Sequence, residues 1–170
     1  MEGARAATPD DLAAVCGLAR QGTIELRANR GGAIWHRREA HREPVDDAIS
    51  GALSGQDGQR CAVVGTVDGT VVGYGLAALE ALHDDRVLAV VTDLYVDPEA
   101  RGIGIGEAMM DHLLAWARTA GAVGIDALAL PGDRHTKNFF ETFGLTARAI
   151  VVHRSLEADE AACGDPAPAP

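Results

Sequence analysis

Residues 87–96, with the sequence VLAVVTDLYV, are apolar at nearly every position. Such a continuous run is expected for a central strand that is covered on both faces, because a half-exposed strand would alternate apolar and polar residues. The turn DPEA follows at once, and RGIGIG then leads into GEAMMDHLLAWART, whose apolar residues recur at helical spacing. The sequence therefore predicts a buried strand that ends in a glycine-rich turn, which opens a helix.

The glycine-rich turn has the chemistry of an anion site. A helix N-terminus carries unpaired N–H groups and a partial positive charge. Gly102, Gly104 and Gly106 have no Cβ to keep a phosphate away from those groups, and Arg101 adds a permanent positive charge. The glycine spacing alone leaves two interpretations open, a pyrophosphate site or a flexible turn that packs a helix tightly.

Two common phosphate-binding patterns do not fit this turn. A P-loop ends in Gly-Lys-Ser/Thr, but Glu107 follows Gly106 here. A Rossmann fingerprint needs a third glycine, and Glu107 or Met109 occupies its position. A phosphate ligand at this turn would therefore belong to another kind of nucleotide site.

The rest of the chain mixes predicted helices and strands. Thr8 is a predicted N-cap with Pro9 at the first helical position, and another helix is expected from about Asp46. The β-type runs RCAVVGTV and TVVGYGLAAL are separated by the hairpin signal DGT. The remaining elements are a strand in AVGIDALAL, a helix in DRHTKNFFETFGL and a last strand in TARAIVVHRSL. This order predicts a mixed α/β domain around one sheet.

Length and composition limit the class of protein. One domain is expected over residues 1–156, followed by a disordered acidic Ala/Pro tail at 157–170. A net charge of −10 argues against nucleic-acid binding, and no apolar run approaches the about 18–20 residues that span a membrane. The N-terminus lacks a signal pattern, and the three cysteines and the histidines lack metal-like spacing. These features predict a cytoplasmic protein without a metal.

RGIGIG fits the Arg/Gln-x-x-Gly-x-Gly/Ala loop of the GNAT (GCN5-related) N-acetyltransferases, and LYVDPEARGIGIGEAMM resembles their fourth strand, turn and third helix. ATPDDLAAV, VVGYGLA and NFFETFGL resemble other parts of that family in the same order, so the likeness covers roughly residues 4–156. The resemblance implies a mixed, mostly antiparallel sheet with helices on both faces, which splays apart between its fourth and fifth strands.

The same resemblance implies that acetyl-CoA is the acyl donor. Its pantetheine arm would pair with the free backbone of the fourth strand, and its pyrophosphate would lie on the glycine turn. The implied cofactor contacts are Leu94, Tyr95, Val96, Arg101, Gly102, Ile103, Gly104, Ile105, Gly106, Asp133 and Phe140.

Asp93 is the predicted general base. It is the only ionisable carboxylate in the run 87–96, where an ionised group is costly unless it is paired or functional. The alternative is that Asp93 pairs structurally with an arginine. Small-amine acetyltransferases of the family often have one or two acids here, and Thr92 occupies the position of the second.

The family usually protonates the departing CoA thiolate with a tyrosine in the late helix, but this chain has Phe140 at that position. Tyr95 is the predicted substitute, and its alternative role is packing across strands. The loss of the tyrosine also leaves open a non-catalytic acyl-CoA-binding or regulatory module.

The predicted reaction is direct attack of a primary amine, belonging to a small molecule, on the thioester through a tetrahedral intermediate. A protein or peptide substrate is a further alternative. The segment 25–42 has five arginines and two histidines and suits an anionic acceptor group, or is a solvated basic segment. The turn EALHDDR suits a cationic amine, or is a polar hairpin turn. Dimers are frequent in the family, so a homodimer is an expectation without a specified interface.

Overall fold

The computed structural model describes residues 2–54 and 58–156. The elements within them, in chain order, are β1 (Glu2–Ala6), α1 (Leu12–Arg27), α2 (Gly32–Arg38), α3 (Val45–Ser54), β2 (Arg60–Val67), β3 (Thr70–Ala81), β4 (Val87–Val96), α4 (Ile105–Thr119), β5 (Ile125–Ala127) and α5 (Arg134–Thr142). Short 3-10 turns at Pro9–Asp11 and Pro98–Ala100 precede α1 and follow β4. The tail predicted at 157–170 lies outside the residues that the structure describes.

The strands form one sheet in the order β1-β2-β3-β4-β5. The first four pair antiparallel, whereas β4 and β5 are parallel. In the turn between β2 and β3, Asp68 and Gly69 have φ angles of 47° and 84°, as a two-residue primed turn requires. The predicted mixed, mostly antiparallel sheet and its DGT hairpin are therefore confirmed.

Helices cover both faces of the sheet, as predicted. On one face α1 and α3 pack against β2, β3 and β4 through a cluster that includes Val15, Leu18, Ile49, Leu53, Val64, Tyr74, Leu76 and Tyr95. On the other face α4 packs through a second cluster that includes Ile105, Met109, Leu113, Val63, Ala77 and Val91. The sheet is thus the middle layer of a three-layer domain, and β4 lies inside it.

Two local predictions differ from the structure. The predicted strand at 122–130 is reduced to the three residues of β5. The last predicted strand, TARAIVVHRSL, is not a strand, and its Ile150, Val151 and Val152 are 86%, 78% and 90% exposed. No strand pairs with this segment in the part of the chain that the structure describes, and β-propensity without a partner does not make a strand.

Candidate active site

β4 and β5 separate halfway along β4. β4 pairs with β5 only at Ala89, Val90 and Val91. Residues 93–96 still pair with β3 on one side, but no strand within residues 2–54 and 58–156 pairs with their other side. Backbone N–H and C=O groups along that edge therefore lack ladder partners. The predicted splay between the fourth and fifth strands is confirmed.

A β-bulge lies where the two strands separate. Leu76 on β3 pairs with Asp93 and Ala77 pairs with Val91, so Thr92 is an extra residue on β4. A bulge bends the strand and redirects the side chains beside it. Here it leaves Thr92 exposed, while Asp93 turns towards the face of the sheet that carries α1 and α3.

Glycine residues at the start of α4 leave its N-terminus uncovered by side chains. Gly104 is the N-cap of α4, and Gly102 and Gly104 have φ angles of 78° and 89°, which glycine adopts without strain. A Cβ built at either residue would meet no atom within 4 Å. Gly106 differs, because its Cβ would lie 3.3 Å from the ring of Phe139 on α5. Two of the three glycines thus leave open space at the helix end, and the third allows α5 to pack.

Arg101, at the start of this turn, is tied to α1. Its Nη1 and Nη2 donate to the carboxylate of Glu25 at 2.9 and 2.7 Å, and its Nε donates to the Val96 carbonyl at 3.0 Å. The hydrogen bonds from Arg101 lower the pKa of Glu25, and those to Glu25 raise the pKa of Arg101. The charge of Arg101 is therefore partly neutralised by a residue at the last turn of α1.

Tyr95 shares the same carboxylate. Its hydroxyl donates to Glu25 at 3.0 Å, and its ring lies against α1, where a Cβ at Gly22 would approach it to 3.0 Å. Burial, with the hydrogen bond to Glu25, raises the pKa of Tyr95 to about 12. A phenol that holds its proton so firmly is a weak acid towards a thiolate whose reference pKa is about 8.5. The assignment of Tyr95 as the acid remains a prediction.

Asp93 has two partners that the sequence did not reveal. Its Oδ1 lies 2.9 Å from Nε2 of His41, in the segment between α2 and α3, and accepts a hydrogen bond from the Tyr74 hydroxyl at 3.1 Å. The side chains of His41 and Asp93 are 23% and 15% exposed. The hydrogen bond to Asp93 raises the pKa of His41, and burial raises the pKa of Tyr74. The ionisable partner of Asp93 is thus a histidine and not the arginine of the alternative interpretation.

One of these partners could have been found from the strand pattern. Tyr74 pairs with Tyr95 across β3 and β4, so it is the diagonal neighbour of Asp93 on the same face of the sheet. No sequence pattern indicated that His41 contacts Asp93, because His41 is 52 residues away in a segment without regular structure.

The other predicted cofactor contacts have structural roles of their own. Asp133 caps α5 by accepting hydrogen bonds from the Thr136 N–H and hydroxyl at 3.0 and 2.7 Å. Phe140 is buried, with its ring 5.5 Å from that of Phe139. Ile105 is buried against the sheet, whereas Ile103 is exposed beside the open turn. Contact of these residues with a cofactor remains a prediction.

A cleft of about 190 Å³ opens between α3 and the sheet. Its walls include His41, Ala48, Ala52, Arg60, Cys61 and Thr92. Burial raises the pKa of the Cys61 thiol to about 11, so this thiol remains protonated and lines the cleft as an uncharged group. Through Thr92 the cleft reaches the β4 bulge, and through His41 it reaches Asp93.

The charged segments predicted for acceptor binding lie apart from this cleft or only touch it. In the turn EALHDDR, Asp84 accepts a hydrogen bond from Arg86 Nε at 2.7 Å, which gives it a partner within the turn. Of the basic segment 25–42, only His41 lines the cleft. In the described ranges, 2–54 and 58–156, no three His, Cys, Asp or Glu residues are grouped to ligate a metal, and no helix has the length and apolarity to cross a bilayer.

The sequence model of the acetyltransferase (GNAT) family matches residues 26–145, and the chain therefore belongs to this family. Solved structures share the fold. A tetramutant of a Bacillus halodurans protein is 21% identical, with a TM-score of 0.74 over 90% of this chain and 99% of that chain. AAC(6')-Iy, in complex with the bisubstrate analogue CoA-S-monomethyl-acetylneamine, is 14% identical, with a TM-score of 0.71 over 92% and 99%.

Glucosamine-6-phosphate N-acetyltransferase from Arabidopsis thaliana is 16% identical, with a TM-score of 0.62 over 92% of this chain and 99% of that chain. No curated protein sequence matches the chain. At these identities the similarity to solved structures establishes the fold alone.

Proposed function

We propose that the protein transfers the acetyl group of acetyl-CoA to a primary amine of a small molecule. One observation carries this proposal: the unpaired edge of β4 leads directly into the bare glycine turn at the start of α4. The edge and the turn offer hydrogen bonds to an amide-containing arm and to a diphosphate, and CoA contains both groups. Membership of the acetyltransferase (GNAT) family and the CoA analogue held by the similar AAC(6')-Iy support this interpretation.

The edge of β4 would bind the pantetheine arm. Backbone groups of Leu94, Tyr95 and Val96 would pair with the amides of the arm, as an added strand pairs with the edge of a sheet. The N–H groups that follow Gly102 and Gly104 would face the pyrophosphate, where the absence of Cβ atoms permits close approach. Binding in this mode places the thioester beside the β4 bulge.

The chemical step forms one bond and breaks another. The nitrogen of the neutral amine attacks the thioester carbonyl, the C–N bond forms, and the C–S bond breaks as CoA leaves as a thiolate. A backbone N–H near Leu94 would stabilise the oxyanion, a contribution of about 2.7–4 kcal/mol for one such donor. A primary amine is mostly protonated at neutral pH, so its proton must pass to a base. The contact between Asp93 and His41 supports one of this pair for that role.

Departure of the thiolate does not require a tyrosine at position 140. A thiol with a reference pKa of about 8.5 needs little help to leave at neutral pH, and water can return its proton. Phe140 is therefore compatible with catalysis, although it also suits the alternative of a non-catalytic acyl-CoA-binding module.

Release of free thiol from acetyl-CoA across a panel of primary amines tests the proposal, with mass spectrometry to identify the acetylated product. Turnover with a small amine supports it, and transfer only to peptides favours a protein acetyltransferase. A protein that binds CoA in calorimetry, releases thiol with no amine and gains no activity from Phe140→Tyr is a binding module. If no heat is detected with CoA, both the enzyme and the module are excluded.

A further inference from the structure

We infer that the cleft between α3 and the sheet is the acceptor site, that it takes a compact monoamine, and that His41 is the group that receives the amine's proton. The inference rests on the proposed acetyltransferase function and names the site and the chemical class of its acceptor. Asp93 then acts as a positioning residue that holds and orients His41.

His41 is the only residue that both lines the cleft and hydrogen-bonds to Asp93, among the residues that the structure describes. A carboxylate accepts, so Nε2 of His41 carries the proton that Asp93 binds. This tautomer leaves Nδ1 with a lone pair that can accept a proton. The imidazole thus offers an acceptor nitrogen in a residue that lines the cleft, whereas Asp93 is not among the lining residues and its Oδ1 already accepts from both His41 and Tyr74.

The cleft adjoins the place where the thioester would lie. Thr92 is the bulged residue at the start of the unpaired edge of β4, and it also forms part of the cleft wall. An amine in the cleft would therefore approach the carbonyl from the face of the sheet that carries α1 and α3. The pyrophosphate turn is at the other end of the same edge, beyond Val96, so donor and acceptor do not compete for space.

The walls of the cleft indicate the class of acceptor. Ala48, Ala52 and Leu76 are apolar, the Cys61 thiol is neutral, and the volume of about 190 Å³ is close to the about 150 Å³ of a cavity that holds benzene. Arg60 adds a permanent positive charge, which repels each ammonium group of an acceptor and therefore disfavours a polyamine more than a monoamine. A compact aliphatic or alicyclic monoamine fits these walls better than a polyamine does.

The groups around His41 set the pH dependence. Asp93 faces it from β4, with the Tyr74 hydroxyl of β3 on the same carboxylate oxygen, and Arg60 and Cys61 of β2 share the cleft. α3 contributes Ala48 and Ala52, which carry no charge. The carboxylate of Asp93 favours protonated His41, so the neutral base is populated only above the raised pKa of His41, and activity increases as the pH rises through it.

Profiles of kcat/KM against pH for the wild type, His41→Gln and Asp93→Asn test the assignment of the base, with cyclohexylamine and acetyl-CoA as substrates. Loss of a general base typically costs 10²–10⁴-fold, so we expect His41→Gln to lose at least about 100-fold in kcat with unchanged affinity for acetyl-CoA. Asp93→Asn should retain part of the activity. Its kcat/KM should rise at a lower pH than that of the wild type, because the imidazole loses its anionic partner.

The opposite pattern overturns the inference. If His41→Gln keeps the wild-type profile while Asp93→Asn is inactive, Asp93 is itself the base. Thermal midpoints and acetyl-CoA affinity establish that each variant is folded. A wild type that binds acetyl-CoA but acetylates no amine in the panel would instead overturn the proposed function, and the acceptor site with it.

Ala52→Leu tests the cleft, because the added carbons would fill part of it. The matched control is Gly51→Ala on the same helix, whose added Cβ would meet no atom within 4 Å. We expect Ala52→Leu to raise the KM for cyclohexylamine at least about 10-fold with unchanged acetyl-CoA affinity, and Gly51→Ala to leave both unchanged. An unchanged KM in Ala52→Leu, or a wild type that prefers spermidine to cyclohexylamine, contradicts the assignment.

Discussion

The hydroxyl of Tyr95 donates a hydrogen bond to the carboxylate of Glu25 at 3.0 Å, and this contact joins β4 to the last turn of α1. The same carboxylate binds both terminal nitrogens of Arg101. A single acidic residue therefore holds the aromatic ring beside the free edge of β4 and the cation at the start of the glycine turn.

Tyr95→Phe removes the hydroxyl that is bound to Glu25 and keeps the ring that packs on α1. We expect unfolding free energy to fall by about 0.5–1.5 kcal/mol, the usual net value of one hydrogen bond. kcat should stay within about two-fold of the wild type, because a phenol whose pKa is about 12 contributes little as an acid. Steady-state kinetics and urea denaturation measure both effects. A fall in kcat of ten-fold or more would instead support Tyr95 as the acid that protonates the thiolate.

Glu25→Gln should strengthen binding of CoA. It removes the negative charge that Arg101 now pairs with and leaves the guanidinium free to attract the diphosphate. Both side chains are partly exposed, so we expect only about a two- to five-fold gain in affinity, which high salt should diminish. Calorimetry at two ionic strengths measures the gain in affinity. Arg101→Ala, which removes the guanidinium, should have the opposite effect and weaken binding. Weaker binding in Glu25→Gln would mean that Glu25 holds Arg101 in its binding position.

Gly104→Val should abolish binding of CoA at the N-terminus of α4. The branched side chain would occupy the space that the diphosphate needs, and valine is strained at a φ of 89°. Gly121→Val is the matched control, since Gly121 has a φ of 72° and equally open surroundings at the opposite end of α4. The control should lose comparable stability and keep its affinity in calorimetry. Equal affinities of the two variants would refute a phosphate site at this turn.

Asp11 should contribute stability that disappears in acid. Arg5 donates two hydrogen bonds of 2.7 Å to this buried carboxylate and, with a smaller effect from Thr8, lowers its pKa from 3.8 to about 2. Because the pKa is lower in the folded state, the stabilisation is complete above about pH 4 and is lost as the pH falls towards 2. The shift corresponds to at most about 2 kcal/mol, since Arg5 is half exposed.

Urea denaturation of Asp11→Asn and of the wild type at pH 7, 4 and 2 measures this contribution. The difference in unfolding free energy should be largest at pH 7 and should nearly vanish at pH 2. Asp10→Asn, which alters the exposed neighbouring aspartate, serves as the control. A difference that does not change with pH would show that the Asn variant acts through packing and not through the charge of Asp11.

Local signals predicted most of the fold and the glycine turn at the start of α4. The run 87–96, the glycine turn and α4 are contiguous in sequence, and the hairpin at Asp68 and Gly69 depends only on its own backbone angles. Interactions between distant segments were not predictable in the same way. His41 meets Asp93 across 52 positions, and Glu25 meets Arg101 across 76, and nothing in the neighbouring residues of either indicates its partner.

The prediction of a last strand at 146–156 was wrong because strand pairing also depends on distant residues. The β-branched residues of 146–156 have the composition of a strand, but a strand also needs a neighbour, and no described residue pairs with this segment. Arg148 nevertheless forms hydrogen bonds of 2.9 Å with both carboxylate oxygens of Asp126 on β5, so the segment passes beside the sheet without joining its ladder. The structure thus brings the segment beside β5, and composition alone did not indicate that it lacks a ladder partner.

The close contact of α4 with the sheet makes the glycine turn sensitive to substitution on β2. A Cβ built at Gly65 on β2 would lie 2.3 Å from Cγ2 of Ile105, the first residue of α4. A larger residue at position 65 would force Ile105 to shift, and we expect this end of the helix to move with it. A substitution on the far side of α4 would therefore alter the proposed diphosphate site without changing any residue of the turn itself.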